Sequence, residues 1–574
     1  LEIYFDLPIP AAVSAYLGWN QLNAGQMVVP EFKEKPVSLK TSSVNATSHT
    51  QQIRTSQTVA PKQTKVESPQ PGIKRRKRIF KKAPKNEVEE IQKAFSKVAK
   101  HVKKPDLERT DNRFPVYVII SSRKQLESVY GPNTAGVIDN LLKDLVANIQ
   151  KLTDWDAKLF YPDDASSMTQ MGLRPIIASD AWQVKLALSD LDAYLDEHGE
   201  MVGALLIVGG PEIVPYHHLP NPTNDNDLDV PSDNPYGTIN ENYFIPQWPV
   251  GRLPGETGPD AGLLLSQIRS LIYQYEQKTK KSKPLDFTFA SIITWIMDFL
   301  TSWYTNRDDK QSLGYSAEIW KEPSKEVYRT AGQGKALQLS PPINFSNLIR
   351  NNGNGHQLGY FNLHGIKDGA NWYGQKDYAS ESNGPDYPIA LSPNMYDEKK
   401  PAPKLVFTEA CYGANIIEKR YDDAIALKFL DTGTKSFAGS TCISYGSVTT
   451  PLIAADYLAD AFWQQILDGQ PAGYALMHAK LSLVEEMTKK QGYLDGEDQK
   501  TLLSFLLFGD PLAVHDGIHA TPKPLQRMKS HMDIKTISDS EMQPYAEDDD
   551  MSEDISKQVQ KIVMSYLPGL QNAQ

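Results

Sequence analysis

Two apolar segments of the sequence each carry a side chain that can take part in chemistry. Residues 359–365 contain His364, and residues 404–413 contain Cys411. Short runs rich in aromatic and branched residues, flanked by Gly and Pro, are typical of buried strands. Because open parallel sheets bind ligands beyond the carboxyl ends of their strands, the imidazole and the thiol would meet in one crevice. A cysteine nucleophile requires such a neighbour, either as a base or as a cation that favours the thiolate.

The two residues are more informative together than apart. A histidine in an apolar context is usually structural, and a free cysteine is usually a small buried hydrophobic residue. Here each follows an apolar run, and Gly365 and Gly413 come within two residues of them. Glycine allows close approach of a substrate backbone and leaves amide groups available for an oxyanion hole. The second cysteine, Cys442, lies within a predicted strand and is interpreted as a core residue.

The composition is that of a soluble globular protein, with 40% hydrophobic and 23% charged residues. A chain of 574 residues predicts two folded units with tails. The net charge of −10 favours solubility and argues against a nucleic acid as partner. Two cysteines cannot form a disulfide framework, and they favour a reducing compartment.

No segment predicts a membrane anchor, and no membrane association is expected. The apolar stretch 291–300 is too short to span a bilayer and is interrupted by Asp298. The sequence begins with Leu1, so a fragment, a processed product and a removed signal peptide all stay open. Localisation is therefore undecided: the cytoplasm is favoured, and secretion is the alternative.

Strand-like and helix-like segments alternate from residue 114 onward. This alternation predicts an α/β fold with a mostly parallel sheet that is flanked by helices. Residues 314–329 are interpreted as one of the helices. The predicted organisation is an apolar N-terminal segment (1–29), a disordered basic linker with a short helix (30–112), a first α/β subdomain (113–280), a second subdomain that contains His364 and Cys411 (281–516) and an acidic C-terminal tail with a short amphipathic helix (517–574).

The linker contains a run of five basic residues: Lys74, Arg75, Arg76, Lys77 and Arg78. A solvated charge run is the favoured interpretation. The alternatives are a patch that binds an anionic surface and a cleavage site for a protease of basic specificity.

An acidic loop raises the question of calcium. Asp225, Asp227 and Asp229 alternate along it, but Val230 and Tyr236 stand where an EF-hand requires Gly and Glu. A polar loop is the favoured interpretation, with calcium as an option. No other cofactor is expected.

Several motifs in order give the sequence a family resemblance. They are Asn362-Leu363-His364-Gly365, Glu409-Ala410-Cys411-Tyr412-Gly413, Trp372-Tyr373-Gly374, Asp233-Asn234-Pro235-Tyr236-Gly237, Pro249-Val250-Gly251-Arg252-Leu253 and Phe508-Gly509-Asp510-Pro511. The body from 114 to 514 resembles the gingipain-like cysteine peptidases, which belong to the clan of caspases, legumain and separase.

The resemblance implies a caspase-like three-layer sandwich with two subdomains. It makes Cys411 the nucleophile and His364 the residue that transfers the proton, with the Gly365 and Cys411 amides as the oxyanion hole. It implies cleavage of a protein or peptide substrate through a covalent acyl-enzyme, without a required cofactor. Trp372 and Tyr445 match residues of the family's substrate pocket.

The sequence departs from the family where its acidic residues are expected. Arginine-specific gingipains have one acidic residue that supports the histidine and another in the specificity pocket. Asp308, Asp309 and Glu318 are candidates for these positions, together with Asp298, and the choice among them stays open. A preference for a basic P1 residue is therefore an expectation from the resemblance alone.

Two further hypotheses concern regulation and its rival. The long tails suggest a zymogen that is controlled by proteolysis or by a protein partner. The alternative to a peptidase is a caspase-like scaffold with an inactive site, against which the presence of both His364 and Cys411 argues.

Overall fold

The computed structural model describes residues 113–514 and 534–537, apart from 240–242, 282–311, 333–335, 346, 349–355, 380–383 and 398. The predicted segments 1–29 and 30–112, with the basic run 74–78, lie outside the described residues. So do Asp298, Asp308, Asp309 and most of the predicted tail.

The described chain alternates between strands and helices. The strands are β1 (Phe114–Ile120), β2 (Asp156–Phe160), β3 (Glu200–Val208), β4 (His217–Pro220), β5 (Asp229–Ser232), β6 (Val250–Leu253), β7 (Ser312–Ala317), β8 (Gln338–Ser340), β9 (Leu358–Asn362), β10 (Trp372–Tyr373), β11 (Ile389–Leu391), β12 (Leu405–Thr408), β13 (Ser436–Ser440) and β14 (Phe505–Gly509). The helices are α1 (Arg123–Ile149, broken at Gly131–Pro132), α2 (Ala165–Thr169), α3 (Ala181–Asp196), α4 (Gly262–Lys281), α5 (Lys321–Gly332), α6 (Ile425–Asp431), α7 (Ala454–Leu467), α8 (Ala472–Gln491) and α9 (Gly496–Ser504).

Ten strands form one central sheet in the order β2-β1-β3-β6-β14-β13-β12-β9-β7-β8. All neighbouring strands are parallel except β13 and β14, which are antiparallel. The sheet therefore consists of two parallel halves that run in opposite directions and meet at β13–β14. The predicted α/β fold with a mostly parallel sheet is confirmed.

The second half of the sheet has helices on both faces. Because side chains alternate along a strand, Phe361, Val406 and Phe437 pack with α6 on one face. Tyr360, Phe407 and Ala438, from the same three strands, pack with α5, α7 and α8 on the other face. This division into two cores on either side of one sheet is the predicted three-layer arrangement.

The interpretation of residues 314–329 as a single helix is wrong. Ser312–Ala317 form the buried strand β7, which pairs with β9, and the helix α5 begins only at Lys321. Gly314 lies against the ring of Tyr328, where an added Cβ would come within 2.6 Å of the ring carbons. The sequence of β7 contains mainly small residues, so its burial is decided by the neighbouring strand and helix rather than by an apolar run.

Buried polar contacts explain three of the sequence motifs in the first half of the sheet. Arg252 is fully buried and makes a two-pronged ion pair with Asp233, at 2.8 and 2.6 Å. Asp510 accepts hydrogen bonds from Tyr117 (2.7 Å) and Tyr275 (3.0 Å), which lie on β1 and α4. These charged residues join segments that are distant in the sequence, so the motifs that contain them have structural roles.

In the described part of the chain, no helix is long and apolar enough to cross a membrane. Residues 534–537, from the predicted tail, contact the body at the turn between α8 and α9. The Leu494 amide donates to the Lys535 carbonyl at 2.8 Å, and the Ile537 amide donates to the Leu494 carbonyl at 3.0 Å. Part of the tail is therefore docked on the second half of the sheet.

Replacing Asp233 by Asn should strongly destabilise the fold. Because the change leaves the Arg252 guanidinium buried without a counter-charge, the free energy of unfolding should fall by about 3–5 kcal/mol. Urea denaturation would measure this loss. The matched control is Asp196→Asn, which breaks the more exposed ion pair with Arg113 and should cost less than about 1 kcal/mol. Equal losses in the two variants would contradict the prediction.

Candidate active site

The positions of His364 and Cys411 follow from the pairing of their strands. β9 and β12 are adjacent and parallel, with Phe361 opposite Thr408. His364 and Cys411 each lie three residues beyond this pair, so the two chains leave the sheet at the same edge and in step. The sequence-based expectation of one shared crevice agrees with this geometry.

The two segments remain in contact after they leave the sheet. A Cβ atom added to Gly365 would lie 1.9 Å from the Cys411 carbonyl oxygen. Any side chain at position 365 would therefore push the histidine segment away from the cysteine segment. Glycine at this position is required for the two reactive residues to lie side by side.

The backbone and ring of His364 are both held in place. Its amide donates to the Tyr373 carbonyl and its carbonyl accepts from the Tyr373 amide, both at 2.8 Å. The imidazole lies between Trp320, with ring centres 4.3 Å apart, and Tyr387, at 5.8 Å. Its Nε2–H donates to Gln375 Oε1 at 2.7 Å. This hydrogen bond leaves Nδ1 as the nitrogen that can accept a proton.

Burial sets the charge of the histidine. Desolvation lowers the pKa of His364 to about 4, and the hydrogen bond to Gln375 only partly opposes it. A neutral amide in this position cannot stabilise an imidazolium as a carboxylate would. His364 is therefore neutral at physiological pH and is suited to act as a base.

The Cys411 thiol is also held in its neutral form. Burial raises its pKa, and a hydrogen bond from the Ser444 amide to Sγ, at 3.4 Å, partly opposes this effect. Since the histidine pKa is lowered and the cysteine pKa is raised, the thiol and imidazole form a neutral pair rather than an ion pair. Proton transfer would then accompany attack on a substrate.

The backbone around Cys411 is shaped as a sharp turn. Tyr412 has a φ of 55°, in the left-handed region that residues other than glycine rarely occupy. Its amide donates to the Cys442 carbonyl at 2.9 Å and so points away from any substrate. Among the described residues, no backbone carbonyl accepts from the Gly365 or Cys411 amides. These two amides are therefore available to a ligand.

The residues matched to the family pocket lie in different environments. Trp372 is buried in the core between Phe361 and Phe429, so its assignment to a substrate pocket is corrected to a core position. Tyr445 lies one residue beyond Ser444, near Cys411, and its hydroxyl donates to Asp225. Glu318 follows β7 and accepts from the Asp377 amide at 3.2 Å, two residues beyond Gln375.

The three aspartates of the acidic loop do not act as one group. Asp225 and Asp227 both accept from the buried Lys500 ammonium, whereas Asp229 pairs with the His218 ring at 3.0 Å. Within the described residues, no cluster of three or more His, Cys, Asp or Glu side chains could hold a metal ion. The residues present therefore fit a lysine cation between Asp225 and Asp227 rather than a calcium ion.

The glutamate of the Glu-Ala-Cys motif points away from the thiol. Glu409 accepts from the Tyr360 hydroxyl at 2.7 Å on the opposite face of the sheet. Burial and the neighbouring Asp456 carboxylate raise its pKa well above the usual value for Glu. Glu409 therefore stays protonated and has no role as a base for Cys411.

Comparison with known proteins identifies the family. The model of peptidase family C25 matches residues 187–514, which is more than half of the chain and includes both reactive residues. The chain belongs to peptidase family C25. This family member is thus a cysteine peptidase, and its resemblance to the gingipains is confirmed.

Solved structures of proteins with related names are distant from this C25 member. Arg-specific cysteine proteinase gingipain R is 15% identical with a TM-score of 0.44, over 72% of this chain and 81% of that one. A complex of gingipain pro- and mature domains from Porphyromonas gingivalis gives 15% and 0.44, over 70% and 80%. The separase–securin complex of Saccharomyces cerevisiae gives 11% and 0.27, over 67% and 21%. No curated protein matches, so the assignment rests on the family match.

Gln375 and Ser444 contact the two reactive side chains but were not found from the sequence. A glutamine eleven residues beyond His364 belongs to no motif that the sequence presents. Ser444 acts through its backbone amide, for which the sequence carries no signal. Both contacts are made by the folded chain alone.

Replacing Gln375 by Glu should change the pH dependence of catalysis. A carboxylate that accepts from Nε2–H favours the imidazolium, so the pKa of His364 should rise from about 4. The acidic limb of kcat/KM should then move to higher pH by about one to three pH units. Gln375→Leu should lower kcat without moving the limb upward. A limb at the same pH in the parent and in Gln375→Glu would contradict this role for Gln375.

Proposed function

We propose that this C25 peptidase is an endopeptidase that uses Cys411 as nucleophile and His364 as general base. One observation carries the proposal: β9 and β12 pair in step, and Gly365 packs against the Cys411 carbonyl. The thiol and the imidazole are thereby brought to one edge of the sheet with two free amides beside them.

The reaction would proceed by acyl transfer. His364 Nδ1 takes the thiol proton as Sγ attacks the carbonyl carbon of the scissile bond, and the carbonyl oxygen becomes an oxyanion. The Gly365 and Cys411 amides donate to this oxyanion. His364 then gives the proton to the leaving amine, and the C–N bond breaks to leave a thioester. A water molecule, deprotonated by His364, hydrolyses the thioester and regenerates the thiol.

We further propose a preference for a basic residue at P1. Tyr445 lies near Cys411 and bonds to Asp225, and Asp227 lies next to it in the same cluster. The two carboxylates carry two negative charges, and Lys500 supplies one positive charge. The net negative charge of this cluster favours a cationic side chain nearby.

Regulation by the tails is the third part of the proposal. A basic P1 preference would make residues 74–78 a substrate for the enzyme itself, so that removal of the N-terminal segment would activate a zymogen. A protein partner that binds a tail would be a second means of control.

Peptidase activity should require Cys411 but not Cys442. In a positional-scanning library of fluorogenic peptides, Cys411→Ala should lose at least about 10³-fold in kcat/KM, because it removes the nucleophile. The control Cys442→Ala changes a core thiol and should retain activity. The parent should select Lys or Arg at P1. No cleavage by the parent, and no preferential labelling of Cys411 by a thiol-directed probe, would favour the inactive scaffold.

Self-processing should depend on the same thiol. Intact-mass analysis after incubation should show cleavage within 74–78 in the parent and none in Cys411→Ala. A variant with all five basic residues of this run changed to Gln should stay uncleaved while it still hydrolyses peptides. Identical fragments in the parent and in Cys411→Ala would show that another protease is responsible.

A further inference from the structure

A buried lysine lies behind the candidate nucleophile. Lys500, on α9, has a fully buried side chain, and its ammonium lies between two buried carboxylates, Asp225 and Asp227. It donates to both of them, at 2.7 Å to Asp227 Oδ2, and lies 3.4 Å from Thr223 Oγ1. With these three partners its donors are all used, so Lys500 has no group left to contact a substrate.

The two carboxylates hold the segments that surround Cys411. Asp227 accepts from the Tyr412 hydroxyl at 2.7 Å and from the Ile443 amide at 2.9 Å. Asp225 accepts from the Tyr445 hydroxyl at 2.5 Å. These three residues directly follow Cys411 or flank Ser444, whose amide donates to Cys411 Sγ. Both sides of the thiol are therefore bonded to one pair of carboxylates.

The turn at Cys411 needs such support. Tyr412 occupies the left-handed region, which costs free energy for a residue with a side chain and persists only where surrounding contacts hold it. Its hydroxyl bond to Asp227 is one of these contacts. Two neighbouring carboxylates in a buried site would repel each other unless a cation lay between them. The support of the turn thus depends on Lys500.

We propose that Lys500 is a positioning residue for the nucleophile: by neutralising the Asp225–Asp227 pair, it lets that pair hold the Cys411 turn and the Ser444 amide in their reactive arrangement. The inference rests on the proposed role of Cys411. It also assigns to a lysine the place that the acidic sequence of this loop suggested for calcium.

A second buried lysine provides a matched control. Lys480, on α8, is also almost completely buried, and its ammonium donates to Asn234 Oδ1 at 2.6 Å and to the Phe505 carbonyl at 2.8 Å. It makes no contact with the carboxylate pair or with the segments beside Cys411 among its recorded bonds. Lys480→Ala therefore reports the cost of losing a buried lysine without disturbing the nucleophile.

The test compares the full-length parent, Lys500→Ala and Lys480→Ala in peptide hydrolysis and in thermal unfolding. Lys500→Ala should lower kcat by about 100-fold, as expected when a reactive group is misplaced, and should leave KM nearly unchanged. Ethylammonium chloride, which can replace the missing ammonium, should restore activity to Lys500→Ala only. Lys480→Ala should lower the melting temperature but keep the parental kcat. A kcat that stays parental in folded Lys500→Ala, or that falls equally in both variants, would overturn the proposal.

A second variant covers the case in which Lys500→Ala does not fold. Tyr412→Phe removes one hydroxyl from the same cluster and leaves all charges in place, so it should fold and lose about tenfold in kcat. An unchanged kcat in this variant would count against the positioning role. A calcium-dependent kcat in the parent that is absent from Asp225→Asn would show that calcium, not Lys500, serves the carboxylates.

Alkylation of Cys411 separates this proposal from the proposed function. The rate of its reaction with iodoacetamide, followed by peptide mapping as a function of pH, does not require peptidase activity. Loss of the Lys500 charge should raise the pKa of the thiol and shift the profile to higher pH, with no shift in Lys480→Ala. If the parent cleaves no peptide but this shift is seen, the proposed function fails and the positioning role stands. An unshifted profile would overturn the role of Lys500.

Discussion

The parallel pairing of β9 with β12 is the constraint on which the candidate site depends. It fixes where two chain segments leave the sheet, and the contact of Gly365 with the Cys411 carbonyl keeps them together beyond its edge. The surrounding layers maintain this pairing, because alternate side chains of the same strands pack against helices on opposite faces. A slip of one residue between the strands would reverse which side chains face each layer, so the cores on both faces determine the register of the site.

Burial gives this site its chemical character. The same low-dielectric surroundings lower the pKa of His364 and raise that of Cys411, so that neither residue carries charge before a substrate arrives. A neutral pair avoids the cost of burying an ion pair whose partners are not fully hydrogen-bonded. Charge would develop only during attack, next to two free amides. The aromatic residues around His364 contribute by excluding water from its ring.

Buried charges connect distant parts of the chain instead of being spread over the surface. Arg252 with Asp233 joins two motifs of the first half of the sheet, and Lys500 with Asp225 and Asp227 joins α9 to the loop beside Cys411. Such charges are stable only when each finds its partner, so they specify one arrangement of loops that apolar packing alone would leave less defined. Residues 534–537 contact the turn immediately before α9, which places part of the C-terminal tail next to the helix that carries Lys500.

The sequence by itself determined the buried strands, the α/β class, the family and the shared edge of His364 and Cys411. These features are written locally, since apolar runs such as those of β9 and β12 predict burial wherever they occur. It did not reveal β7, whose small residues are buried only because β9 and Tyr328 surround them. Nor did it reveal Gln375 or Lys500: Lys500 lies 273 residues from Asp227, and its position between two carboxylates is a property of the folded chain. Tertiary structure also placed Trp372 in the core, because an aromatic residue next to a motif has the same sequence signature in a pocket and in a core.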